Sequence, residues 1–261
     1  MKFTITIFLF LNSLSLFAAY PDSTFAARLF EKSKSLAAEN LDSSLFYFEQ
    51  SLALYQKNND LTAWIKSCSQ LGTAFDIARK PEQALKIYKR GWEGQLWRKP
   101  TLLKEWKALG WLHTNEGYVY QYSLGKYDLA KRSFEVAKYI FEQHVGELDI
   151  NIVHFVHYNL GNIYTILGEH EAARILLEKY KRVCVEEKDF QKAAMACNDL
   201  GLLYVDLDLV QKAVDSYLEG LSYPNLDIVS KGLIQGNLAA TYFEKESYQE
   251  ALKFVLKAKN S

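Results

Sequence analysis

The chain lacks net charge: 31 Lys and Arg offset 31 Asp and Glu across 261 residues. It therefore has no global field to attract nucleic acid or an anionic membrane, and neither partner is expected. Cysteine is scarce. Cys68, Cys184 and Cys197 form an odd, scattered set, with neither metal-ligand spacing nor a disulfide framework. Cys68 and Cys197 each fall four residues before a glycine, at a core-facing helical position, and read as small buried hydrophobes. Walker loops, Gly-x-Ser-x-Gly elbows and dinucleotide fingerprints are all missing. His154 and His157 stand three apart on an expected helix, but no third ligand follows at helical spacing and no HExxH occurs. No catalytic residue, metal or small-molecule cofactor is assigned, and the chain reads as a non-enzyme.

Beyond the first twenty residues, no segment has the roughly 18 consecutive apolar residues of a membrane helix. The beginning differs from the rest. Lys2 is its only charge, Phe3 to Leu16 is largely apolar, and Ala18, Ala19 and Tyr20-Pro21-Asp22 follow. That order is expected of a secretory signal peptide over residues 1–19, which would export the chain to the periplasm, the envelope or the medium. An uncleaved N-terminal anchor is the alternative.

What the chain does contain is a repeat. Gly72 precedes Ala84, Gly117 precedes Ala130, Gly161 precedes Ala173, Gly201 precedes Ala213 and Ala239 precedes Ala251. Successive first members lie 45, 44, 40 and 38 residues apart. Such a period means stacked supersecondary units. Around each pair, apolar or small residues recur three and four apart, as in Gly161, Tyr164, Ala173, Leu177 and Tyr180 or Gly201, Tyr204, Ala213, Tyr217 and Gly220. One face of each helix therefore points inward. The two small columns are expected to let antiparallel helices approach closely. A degenerate unit with Ser44, Phe48 and Ser51 precedes them, as a terminal repeat would.

These residues resemble the tetratricopeptide repeat (TPR), in which Leu-Gly, a Tyr, an Ala, a Phe or Tyr and a second Ala lie on two antiparallel helices. The resemblance covers roughly residues 24 to 259. The standard repeat has about 34 residues. The surplus here fits longer helices and loops. Gly146-Glu147-Leu148-Asp149-Ile150 is similar to the linker of long-helix forms, as in kinesin light chain repeats and the repeat regions of bacterial CHAT-domain (caspase-like) proteins. The implied fold is all-α: a right-handed α-solenoid of about six TPR-like helix pairs. After the signal peptide, residues 20–58 form the degenerate pair, and 59–261 form five repeats at about 59–98, 101–146, 149–188, 190–223 and 226–259.

In such repeats the first helices line a concave surface. The position two before each small residue holds Gln70, Asn115, Asn159, Asp199 and Asn237, and its neighbours add Asn198, Asn162, Tyr118, Tyr122, Tyr158 and Trp111. Amides can donate to and accept from a peptide backbone. Tyrosine offers stiff apolar area with a polar tip. Asn115, Asn159, Asn162, Asn198, Asn237, Tyr118, Tyr122 and Tyr158 are thus candidate contacts for a peptide or protein partner. In the competing reading the amides bond only to neighbouring helices or turns. A chaperone-type carboxylate clamp is not expected, because the Lys and Arg positions on that face are mostly neutral. Trp92, Trp97, Trp106 and Trp111 gather around the longest connection and read as inter-repeat packing.

The expected function is a non-catalytic interaction scaffold, the repeat region of a CHAT-domain protein. The alternative is an extracytoplasmic sensory region of a signalling protein with a histidine kinase or transcriptional output. The last helix runs through Ala251, Val255 and Ala258 to Ser261 with nothing polar to cover it. Solenoids need caps, so an effector domain beyond residue 261, or a partner, is expected there.

Overall fold

A computed structural model describes residues 22–245 and residue 247. The expected signal segment and the helix carrying Ala251, Val255 and Ala258 lie outside the described residues. Among the described residues there are eleven α-helices and no strand. The architecture is all-α, a repeat solenoid of antiparallel helix pairs.

The helices group into two compact units, residues 1–126 and 127–261. The first contains α1 (Asp22–Leu36), α2 (Leu41–Lys57), α3 (Leu61–Ile77), α4 (Pro81–Glu93) and α5 (Leu103–Tyr118). The second contains α6 (Tyr127–Glu142), α7 (Ile150–Ile166), α8 (His170–Glu186), α9 (Phe190–Asp206), α10 (Val210–Ser222) and α11 (Ile228–Glu244). The boundary falls inside the stretch 101–146 expected to form one repeat. In each unit the contact pattern is that of stacked pairs. In the first, α1 packs on α2 and α3 on α4, while α1, α3 and α5 also touch in succession. In the second, α7 packs on α8 and α9 on α10, and α7, α9 and α11 touch in succession.

Local chemistry explains the boundaries. Four first helices start on an aspartate N-cap: Asp60, Asp149, Asp189 and Asp227 accept from the backbone N–H groups of Ala63, Asn151, Lys192 and Ser230 at 2.9, 2.9, 3.2 and 2.7 Å. Each cap satisfies a donor that the helix leaves unpaired. The α4 helix instead begins with Pro81, whose missing N–H costs nothing there. Five helix ends close with the same turn. Asn59, Arg79, Gly168, Lys188 and Asp208 take positive φ, and the next N–H returns to the carbonyl of Tyr55, Phe75, Tyr164, Cys184 or Tyr204 at 2.8 Å. This is the Schellman closure.

The long periods have a visible source. The 45-residue step contains a 3₁₀ turn over Gly94–Leu96 and the connection on to Leu103. The 44-residue step contains a π-helical turn over Val119–Ser123 and the linker between Glu142 and Ile150. At the first connection the buried Glu105 accepts from the N–H groups of Thr101 and Leu102 at 2.9 and 3.1 Å and pairs with Arg98. Burial pushes its carboxyl pKa up, but Arg98 and the two N–H groups more than offset that, and the net shift is downward.

The glycine column works differently from the expectation. Gly72, Gly161 and Gly201 each face the bulky residue sixteen positions on. A Cβ at Gly72 would stand 2.3 Å from Cε1 of Tyr88, and one at Gly201 would stand 2.3 Å from Cε1 of Tyr217. Both rings are fully buried. At Gly161 the neighbour is Leu177, at 3.0 Å. Gly72→Ala and Gly201→Ala are therefore predicted to lose about 1–3 kcal/mol through overpacking. Gly161→Ala should stay within about 1 kcal/mol of the parent, because better helix propensity offsets a milder clash. Gly161→Leu should again cost about 1–3 kcal/mol. Urea unfolding of the four variants checks the order.

Candidate functional site

In the second unit most of the amide column turns into the protein. Asn198 is 2% exposed and Asn159 6%. Asn159 donates to the Phe155 carbonyl of its own helix at 2.7 Å. Asn237 on α11 donates to Oδ1 of Asn198 on α9 at 2.7 Å, and Asn198 donates to Asp199 at 3.2 Å. Tyr158 and Asn162 on α7 also act on the Asp199 carboxylate, each favouring its charged form. Burial raises the Asp199 pKa, its hydrogen bonds notwithstanding, and burial likewise raises that of the Tyr158 hydroxyl. A continuous polar ladder thus joins α7, α9 and α11, and the Tyr158 ring also lies 4.7 Å from that of Tyr180.

The first unit holds one rung of the same kind. Asn115 on α5 donates to the Ser69 hydroxyl on α3 at 2.9 Å. One register recurs: a residue three before one small column residue meets the residue two before the next, as in Ser69 with Asn115, Tyr158 with Asp199 and Asn198 with Asn237. These positions were expected to be exposed. They meet a neighbouring helix because stacked first helices bury the flank that faces along the stack. Tyr118 and Tyr122 stack on each other at 5.9 Å, and Tyr122 is largely exposed.

A recess opens between α3 and α5. It measures 480 Å³ and is lined by Lys66, Ser69, Gln70, Lys104, Lys107, Ala108 and Trp111. A second recess of 440 Å³ adjoins it, sharing Ser69 and Gln70 and adding Lys34, Thr73, Ala74, Ile77 and Asn115. Lys66, Gln70, Lys104 and Lys107 are exposed, and Trp111 is half-buried. Lys104, Lys107 and Trp111 lie at helical spacing on one face of α5, as Lys66 and Gln70 do on α3. At this step the first-helix face is basic. The signal was present in the sequence, since Lys66 and Trp111 each stand one helical turn before an amide-column residue, Gln70 and Asn115. The other tryptophans pack. Trp64 donates to the Arg90 carbonyl at 2.8 Å, Trp97 meets the Trp64 ring edge-on at 5.9 Å, and Trp92 lies 6.5 Å from His113.

The three thiols and the histidine pair lie in the interior. Cys68, Cys184 and Cys197 are buried free thiols whose pKa values burial pushes up, to about 12 at Cys197. Such thiols are poor nucleophiles. His154 and His157 are buried, with their Nδ1 atoms 3.3 Å apart, and Nε2 of His157 lies 2.8 Å from Glu142. With His157 donating to Glu142, its Nδ1 accepts from His154 (the neutral pair fits only in this tautomer). Among the described residues no group of three or more His, Cys, Asp and Glu could hold a metal.

Sequence comparison places a tetratricopeptide repeat at residues 156–183, which the family model of that description matches. No curated protein has significant sequence similarity to the chain. Solved structures share the fold. BtubC (BKLC) from P. vanneervenii is 20% identical over 92% of this chain and 89% of its own, with a TM-score of 0.67. The TPR-like repeats of a kinesin light chain from Podosopora anserina are 15% identical over 76% of this chain and 94% of their own, with a TM-score of 0.63. A Rap protein complexed with competence and sporulation factor is 20% identical over 93% of this chain and 65% of its own, with a TM-score of 0.51.

Two predictions follow from the buried groups. Asn198→Ala leaves the Asn237 amide and the Asp199 carboxylate short of a partner, and should cost about 1–3 kcal/mol in chemical denaturation. For the histidines, burial first and then the mutual repulsion of the pair lower the His154 pKa to about 4, and burial lowers that of His157. The unfolded chain therefore binds more protons below pH about 6.5 than the folded chain does. The stability contributed is complete above that pH and declines as pH falls toward about 4, by on the order of 1–2 kcal/mol. His154→Gln keeps a donor for His157 without titrating, and should flatten the profile of melting temperature against pH.

Proposed function

We propose that the chain is a non-catalytic scaffold that binds a peptide or a partner protein on its first-helix face, with the recess between α3 and α5 as the docking point. One observation carries this reading. In that recess, hydrogen-bonding and apolar side chains from two successive first helices converge on open space, whereas the second unit spends the equivalent amides on its own stacking. The solved complex of a Rap protein with competence and sporulation factor supports it by analogy of fold. The buried thiols and the self-satisfied histidine pair support a role without catalysis.

The finer reading is the repeat region of an exported CHAT-domain protein, with its effector beyond residue 261. It rests on the residue 1–19 pattern and on the long-helix linker at Gly146 to Ile150. A sensory region of a signalling protein is the alternative. The downstream coding sequence separates the two: a caspase-like domain favours the first, and a kinase or DNA-binding domain the second.

Selection of a random displayed peptide library on the purified protein tests the scaffold. Enriched peptides are expected, with affinity reduced about tenfold by Gln70→Ala combined with Trp111→Ala, in keeping with the weight of an aromatic anchor. A melt of the variant separates a lost contact from a lost fold. An empty selection, or peptides that bind the folded variant as well as the parent, would overturn the reading.

A further inference from the structure

The charges around the recess are segregated. The two adjoining hollows carry Lys34, Lys66, Lys104 and Lys107 and not one carboxylate, on a chain whose total charge is zero. The Nζ of Lys34 already pairs with Glu31 at 2.9 Å. Lys66, Lys104 and Lys107 make no ion pair among the described residues. Elsewhere on the surface some basic side chains are matched, as Lys131 is with Glu169, Lys181 with Glu219 and Arg174 with Glu171 and Glu178. Three ammonium groups without an ion pair line one concavity beside the Trp111 indole, and this basic lining suits an anionic ligand.

Resting on the peptide-binding reading, we infer that this recess takes an acidic segment of a partner protein. Carboxylates sit among Lys66, Lys104 and Lys107, and an apolar side chain of the segment lies against Trp111. The exposed Gln70 amide is placed to bond the segment's backbone. Nucleic acid fits poorly, because three lysines on a neutral chain supply few of the phosphate contacts that such binding needs. An anionic bilayer fits poorly too, since the lysines line a hollow. The preference belongs to the first unit. Its counterpart helix α7, Ile150–Ile166, has no charged side chain, and α9 brings the acidic Asp199 into the ladder. Solvent-exposed ion pairs are individually weak and salt-screened, so binding is modest and falls with ionic strength.

Fluorescence anisotropy with a labelled synthetic peptide alternating Glu and Asp with Leu tests this, against its Gln/Asn counterpart. The acidic peptide should bind the parent protein about tenfold more tightly than the neutral one, the summed effect of three exposed pairs. K66Q/K104Q/K107Q should erase that difference while leaving the melting temperature unchanged, and added salt should do the same in the parent. Equal binding of the two peptides, or a preference that survives the triple substitution, overturns the inference. So does tighter capture of a DNA duplex or of phosphatidylserine vesicles through the same lysines. If library-selected peptides are neutral yet still depend on Gln70 and Trp111, the scaffold reading stands and only the acidic preference falls. An empty selection removes both.

Discussion

The structure depends on two tyrosine rings lying where a side chain is missing. Tyr88 and Tyr217 occupy the volume that a Cβ at Gly72 and at Gly201 would need, and neither ring has room to retreat. Protein interiors are packed too densely to absorb such a displacement elsewhere. The fit fixes how the two helices of a pair cross. It thereby fixes which flank of the first helix is left for the neighbouring pair and which is left for solvent. Leu177 in place of the ring opposite Gly161 does the same work with more slack. The glycines are thus less a means of bringing backbones together than sockets for a large group on the partner helix.

Once each pair is set, polar rungs set the step between pairs. Ser69 with Asn115, Tyr158 with Asp199 and Asn198 with Asn237 hold successive first helices in one register. A buried amide without a partner is costly, so these rungs discriminate against slipped stacking more than they add net stability. In the second unit the rungs link into a ladder and use up the polar groups of that flank. In the first unit the single rung at Asn115 leaves α3 and α5 open to either side of it, which is why hollows occur there.

Helix content and the small columns could be read along the chain, because each depends on residues within one or two turns. The exposure of the amides could not. Whether the position two before a glycine faces water or a neighbour depends on a helix about 40 residues away, and helical periodicity says nothing about that direction. The role of the glycines was hidden for the same reason: the spacing to Ala84 is regular, but the contact is made by Tyr88, one turn further on. The lysine patch was half legible. Lys66 sits at a position that the column geometry marks as exposed, but Lys104 and Lys107 join it only through the packing of α5 on α3.

Binding surfaces on such stacks are defined by what the stack does not consume. The thiols are buried, the histidine pair and Glu142 satisfy one another, and the second unit's amides are spent on register. Around the recess the balance reverses. Ammonium groups, an amide and an indole surround open volume. On the proposed scaffold reading, recognition belongs to one inter-helix step, and its selectivity to charge that the repeat pattern neither requires nor repeats.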